Sequence, residues 1–403
     1  MKKTLIPLLL CAGQALAQTS GESRDATLRK LLERVESLET EVRQLRAEKT
    51  FATSASGKQT VAFAEGAVAA MDDAPARGTF PQLKLRGFGD VEYRWADGGK
   101  DRSAFRLGAL DLFLTSQLSE NLSVLSENVI EADDEEHFGF EIERLVLQYT
   151  PREYFNVAVG RYHTAIGYYN NAYHHGKWLQ TAAERPHLFD FEDEGGLLPI
   201  HNVGVSVSGA IPSGRLGLRY VAEVGNGRKY EPGEEAVQNV SDNNNFKAVN
   251  LALTIRPDWL PGLQAGVSGY FDRLSQSLAP TTNQTIVSAH VVYLRPEFEW
   301  LTEGVLMHDS SDRGSFNTFG FYTQIARRFG QFRPYVRYEY LNESARDPIV
   351  LLAGEPGIRQ MLLLGVRYDF AEFAALKLEL DRALVGTDDG ARNEVKLQLS
   401  FTF

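Results

Sequence analysis

The 403-residue chain has a single cysteine, Cys11, which excludes a disulfide framework. Beyond its first seventeen residues it has no apolar run near the roughly 18 residues a membrane-spanning helix requires. That excludes a helical membrane protein but not a barrel, whose strands alternate one polar residue with each apolar one. Positive charge is also in deficit: 42 Lys and Arg stand against 53 Asp and Glu, a net charge of −11. Such an acidic chain is a poor partner for nucleic acid. A convergent catalytic triad is missing as well. His308, Asp309 and Ser310 are consecutive in an extended segment, where alternation keeps them from meeting at one reacting atom.

The amino terminus reads as an export signal. Lys2 and Lys3 precede the apolar stretch Leu5 to Ala12, and Ala15-Leu16-Ala17 forms a small-x-small cleavage site. Residues 1–17 are therefore expected to be removed, leaving Gln18 first. The mature chain then keeps 40 basic residues against the same 53 acids, about −13 in charge. Cys11 falls inside this peptide, and the bulky Leu10 before it argues against lipidation.

Within the segment 18–48, residues 28–48 have a different period. Leu28, Val35 and Val42 recur every seven residues, as do Leu31, Leu38 and Leu45, filling the a and d positions of three heptads. Arg34 at g faces Glu39 at the following e position, and Glu41 faces Arg46, which suits parallel chains in register. Arg34-Val35-Glu36-Ser37-Leu38-Glu39 resembles the short pattern associated with parallel trimeric coiled coils. Residues 18–48 are expected to be a periplasmic coiled-coil segment, whose heptad helix over 28–48, about 21 residues, is a stalk about 30 Å long at 1.5 Å per residue. Residues 49–82, rich in Ala, Gly, Ser and Thr, read as a flexible linker.

From Leu83 onward the period is two. Leu85, Gly87, Gly89, Val91, Tyr93 and Trp95 share one face, and Lys84, Arg86, Asp90, Glu92 and Arg94 share the other, with Phe88 as the exception. Five charges in one row would be costly inside a soluble sandwich but cost little against a water-filled lumen. The same pattern predicts strands near 83–95, 104–118, 122–132, 138–149, 155–163, 201–211, 215–226, 246–256, 263–273, 286–295, 298–309, 319–329, 332–342, 359–370, 374–384 and 393–403. Sixteen is an even number, and short turns alternate with longer polar loops, including one expected at 310–318. The fold class is thus all-β: a 16-stranded antiparallel transmembrane β-barrel over residues 83–403, preceded by a short α-helical coiled coil.

The last strand, Asn393 to Phe403, places Val395, Leu397, Leu399, Phe401 and Phe403 on one face. Its aromatic end resembles the terminal signature of Gram-negative outer-membrane barrels. That resemblance implies Phe401 and Phe403 as an insertion signal, with barrel-assembly machinery and outer-membrane lipids as partners.

The longest connection, 164–200, carries the second resemblance. Val157-Ala158-Val159-Gly160-Arg161-Tyr162-His163-Thr164-Ala165-Ile166-Gly167, then Gly195-Gly196-Leu197-Leu198-Pro199 and His201 to Gly209, is similar to the phosphate-selective porin O and P family. Ala165 stands where that family carries proline. The resemblance implies a homotrimer whose third loop folds inward to narrow the pore. The loop's Glu184, Asp190, Glu192, Asp193 and Glu194, with Lys177 and Arg185, would then face basic wall residues. Candidates for that wall are Arg86, Arg161, Arg219, Arg337, Arg367, Lys377 and Lys396. Opposed rows of charge set up a transverse field across a pore. Because the loop is net acidic, a weakly selective diffusion pore or a pore for another small anion fits better than a phosphate filter.

No cofactor, metal or catalysis is expected. The adjacent His174 and His175 point apart, and Asp133 to Glu136 reads as a solvated acidic loop. The functional expectation is a trimeric outer-membrane porin passing small hydrophilic solutes or ions by passive diffusion. Two other readings stay open: an anion-selective pore for phosphate or a small carboxylate, or a barrel anchor whose coiled coil grips peptidoglycan.

Overall fold

A computed structural model describes residues 80–97, 103–132, 137–173, 176–192, 196–229, 239–275, 281–353, 357–385 and 391–403. The expected signal peptide, coiled coil and all but the end of the linker lie outside the described residues, as do His174, His175, Asp193, Glu194 and the 133–136 acidic run.

Sixteen strands form one closed antiparallel barrel in which each pairs with its neighbours in sequence. They are β1 (Gln82–Ala96), β2 (Ala104–Gln117), β3 (Leu122–Ala132), β4 (Phe138–Arg152), β5 (Phe155–His163), β6 (His201–Ala210), β7 (Leu218–Gly225) and β8 (Ala248–Ile255). The second half comprises β9 (Leu263–Leu274), β10 (Thr282–Arg295), β11 (Phe298–Ser311), β12 (Gly314–Arg327), β13 (Phe332–Asn342), β14 (Ile358–Ala371), β15 (Ala374–Val385) and β16 (Ala391–Thr402). Each expected strand overlaps one of these. The difference lies at 310–318, expected as a loop. There β11 and β12 run on until only Asp312 and Arg313 separate them, with Met307 paired to Thr318 and Ser310 to Ser315. The run of Ser, Asp and Asn imitates loop composition, but pairing between the two strands orders it.

Burial is inverted relative to a soluble protein. Phe105 is 79% exposed and Leu83 69%, whereas Glu127, Lys377 and Glu379 are fully buried. Trp95, Tyr149, Tyr154, Phe155 and Phe370, near strand ends, are also exposed. Because strand side chains alternate, the apolar set faces outward and the charged set inward, as a lipid-embedded barrel requires.

The seam joins the first strand to the last. β1 and β16 pair from Phe88 with Thr402 to Ala96 with Glu394. The Gly87 N–H donates to the Phe403 carbonyl at 2.8 Å, and the Phe403 N–H donates back at 2.9 Å. The Phe403 ring lies over Gly87, so that a Cβ there would sit 2.2 Å from the ring. Aromatic cover of a strand glycine pins the register of the closing pair.

Candidate functional site

The segment 164–200 leaves β5, returns to β6, and in between reaches the polar faces of strands on the far side of the barrel. A single segment that contacts β7, β10, β11, β13, β14, β15, β16 and β1 through their buried faces lies within the ring they form.

Its descent begins at Gly167, where φ of +70° turns the chain toward β11. The Glu303 carboxylate there accepts the N–H groups of Tyr168 and Tyr169, the latter at 2.9 Å, together with the Tyr322 hydroxyl. These donors precede and open α1 (Tyr169–Ala172), whose first N–H groups have no partners inside the helix. Glu223 of β7 likewise accepts from Ala165 N–H at 3.0 Å, and Ser288 of β10 from Gly167 N–H at 3.0 Å.

Further along, the wall grips both sides of the loop's main chain. Glu379 accepts from Ala183 N–H (3.1 Å), and Glu339 from His187 N–H (2.9 Å). In the opposite sense, Lys377 Nζ donates to the carbonyls of Lys177 (2.7 Å) and Ala182 (2.8 Å). Arg367 donates to those of Trp178 (2.6 Å) and Gln180 (2.7 Å), and Arg337 to those of Glu184 (2.8 Å) and Arg185 (3.3 Å). Arg337 and Arg367 also pair with carboxylates of their own strands, Glu339 at 2.6 Å and Asp369 at 2.7 Å, so each bridges a wall carboxylate and the loop's main chain. Hydrogen bonds from charged donors are the strong ones, so Arg337, Arg367 and Lys377 hold the loop's main chain firmly.

The loop carboxylates have partners of their own. Glu184 lies between Arg94 of β1, at 2.8 Å, and Lys177. Burial opposes its ionisation, but Lys177, Lys396 and Arg94 outweigh that and hold it well below the usual carboxylate range. Glu192 accepts from both the main-chain N–H (2.9 Å) and the ring Nδ1 (3.0 Å) of His201, while Glu143 approaches the other ring nitrogen at 2.7 Å. Both contacts lower the carboxyl pKa of Glu192 against the effect of burial. Asp190 pairs with His187 at 2.9 Å and pushes that imidazole up to about 9.

The remaining candidates are dispersed. Lys396 pairs with Asp381 at 2.9 Å, and Arg161 donates to the Glu143 carbonyl at 2.9 Å. Arg86 and Arg219 stand near the starts of β1 and β7. Arg185 stacks on Phe191, 3.5 Å from the ring centre.

The apolar half of the loop was not anticipated. Ile166, Tyr169, Leu188, Phe189, Leu198 and Ile200 pack into one buried cluster with Tyr270, Ile286, Leu301, Val305, Met307 and Tyr322 of the wall. Trp178 instead stacks on Phe88 of β1, with ring centres 6.4 Å apart, which accounts for the one aromatic on that strand's charged face. The available signal lay in β11, whose inward residues read Glu299, Leu301, Glu303, Val305, Met307 and Asp309. That row of apolar residues among charges needs a cover.

No family model matches this chain, and no curated protein matches it. Solved structures do resemble its fold. The anion-selective porin from Comamonas acidovorans superposes with a TM-score of 0.58 at 13% identity, covering 80% of this chain and all of that one. The outer-membrane channel DcaP of Acinetobacter baumannii gives 0.54 at 13% identity over 80% of this chain and 97% of its own. The trimer form of OmpT, an outer-membrane protein of Vibrio cholerae, gives 0.53 at 10% identity over 80% and 99%. The architecture is that of outer-membrane porins and channels.

Proposed function

We propose that this protein is an outer-membrane porin, a channel rather than an enzyme, which passes small hydrophilic solutes or ions by diffusion. The observation that carries the reading is the attachment of segment 164–200 to the inner wall by charged groups on both sides of its main chain. A loop held this way narrows the lumen without closing over a reacting group, and it fixes an aperture. Sixteen strands leave an aqueous interior wide enough to need such a constriction. The outward apolar surface fits the outer membrane, and the solved trimer among the structural neighbours agrees with a homotrimer locked by residues 18–48.

Ion preference in this reading is set around Glu184. Arg94, Lys177 and Lys396 act on this one loop carboxylate, while Glu92 pairs with Arg94 and Asp381 with Lys396. Anion preference is the second reading, with small carboxylates or phosphate as cargo; the three cations that converge on one loop carboxylate and the porin O and P resemblance support it.

Purified protein in a planar bilayer should give stepwise conductance, with reversal potentials in a salt gradient reporting preference. Glu184→Gln should move the reversal potential further toward anions. Folded protein that never conducts would sink the channel reading; an unmoved reversal potential would remove Glu184 from the filter.

A further inference from the structure

On the outer surface, at the short-turn end of β10, β11 and β12, two arginines flank one phenylalanine. Phe298 is paired across the strands with Arg295 on one side and with Arg327 on the other. Their alternating neighbours Glu299 and Ala326 are buried, so these three side chains belong to the outward set. Both arginines are exposed. Each guanidinium lies over an aromatic ring, Arg295 at 6.0 Å from the centre of Tyr293 and Arg327 at 5.3 Å from that of Phe329. Arg295 Nε also donates to the Tyr293 hydroxyl at 3.3 Å, and the Tyr293 ring packs on Phe298 with centres 6.2 Å apart. Two residues deeper along β11, Trp300 stands opposite Tyr293 and Ile325 on the same face.

Charge separates these two arginines from others at the same end of the barrel. The inward Arg328 has Asp369 at 3.6 Å, and Arg333 has Glu299 at 3.9 Å. Arg215 also lies over a ring, 6.0 Å from that of Trp259, but Asp258 neutralises it at 2.9 Å. Arg295 and Arg327 have no ion pair among the described residues. Aromatic belts mark the head-group level of a bilayer, so the anion that neutralises two guanidinium groups there is supplied by lipid. We propose that this face seats one anionic glycerophospholipid, its phosphate held between Arg295 and Arg327 and its acyl chains lying on Phe298 and Trp300. The two arginine Cα atoms are two strand spacings apart, roughly 10 Å, and side chains of that length converge on one phosphodiester. The planar donor fork of a guanidinium matches phosphate oxygens, and a zwitterionic head group would bring a competing ammonium of its own. The proposal rests on the outer-membrane reading, which places the short turns in the periplasmic, phospholipid leaflet.

The test uses full-length protein refolded from inclusion bodies into detergent, so that it carries no lipid from a cell membrane. Native mass spectrometry would follow retention of added phosphatidylglycerol and of phosphatidylcholine with the same acyl chains. The wild type should hold one phosphatidylglycerol per protomer in preference to phosphatidylcholine. Arg295→Gln with Arg327→Gln should weaken phosphatidylglycerol retention about 30-fold, and either change alone about fivefold. Arg215→Gln removes a charge that Asp258 already neutralises and should leave retention unchanged. Equal retention of the two lipids by the wild type overturns the proposal, as does a double variant that holds phosphatidylglycerol as well as the wild type, or an Arg215→Gln protein that loses it equally. A double variant whose oligomers fall apart while its lipid retention is unchanged shows a second copy seated on this face, and overturns it too. Planar-bilayer recordings on the same preparations keep the two readings apart: wild type that conducts without a lipid preference sinks this proposal alone, and wild type that holds the lipid but never conducts sinks the channel alone.

Discussion

Replacing Glu303 with leucine should free the start of the constriction loop while leaving the barrel closed. The carboxylate accepts three donors, from Tyr168 N–H, Tyr169 N–H and the Tyr322 hydroxyl, and no cation pairs with it among the described residues. Leucine fills most of the volume and accepts nothing. Three buried donors then lose their partner at about 1–3 kcal/mol each, offset in part by relief from burying a lone carboxylate. A net cost of about 3 kcal/mol falls on the loop rather than on the inter-strand ladder. At roughly 1.4 kcal/mol per decade, the released loop becomes about 150-fold more populated. Single-channel recordings should show a larger, noisier conductance, and protease should cut within 164–200 in folded protein that still runs as a heat-modifiable barrel. If Glu303→Leu folds with unchanged conductance and unchanged protease resistance, the wall carboxylates do not hold the loop.

Other perturbations act on separate parts. His187 gains charge from Asp190, so its contribution to loop stability is fully present below pH 6.5 and is lost as pH rises through about 9. Raising the pH from 7 to 10 should therefore loosen the loop tip and increase current noise, and Asp190→Asn should remove that pH dependence; a wild type with identical noise at both values would contradict it. Gly87→Val drives a side chain into the Phe403 ring and should reduce the yield of heat-modifiable barrel severalfold, whereas Gly139→Val, on open surface, should not. Deleting residues 22–48 should lower the temperature at which trimers dissociate in detergent, and an unchanged temperature would assign the heptads another task.

The strands were legible because alternation is written locally, within about ten residues. The β11–β12 turn was not, since Ser310, Ser311 and Asp312 have loop composition and only their pairing with 314–318 orders them. In the site, the charges of the 164–200 loop were readable but their partners were not. Tyr169 and Glu303 are 134 residues apart, and Lys377 meets a carbonyl 200 positions earlier. A main-chain acceptor leaves no trace in sequence, so Arg337, Arg367 and Lys377 read as wall charges facing an acidic loop or pairing with wall carboxylates, not as anchors of the loop's backbone. Arg94 was read as one charge in a strand pattern, and only folding sets it beside Glu184. The apolar inward residues of β10 and β11 look like lapses in alternation until the loop core covers them.

The seam between β1 and β16 makes folding a matter of order. Fifteen of the sixteen pairings join strands that are neighbours in the chain, and these can form as hairpins. The remaining one joins residues about 300 positions apart, from Phe88 with Thr402 to Ala96 with Glu394, so its loop-closure entropy is the largest and the pairing is expected to form last. Until then both edges stay open to wrong partners. Phe403 over Gly87 therefore serves as a completion check: a chain lacking its last residues can build fifteen pairings and still present two raw edges.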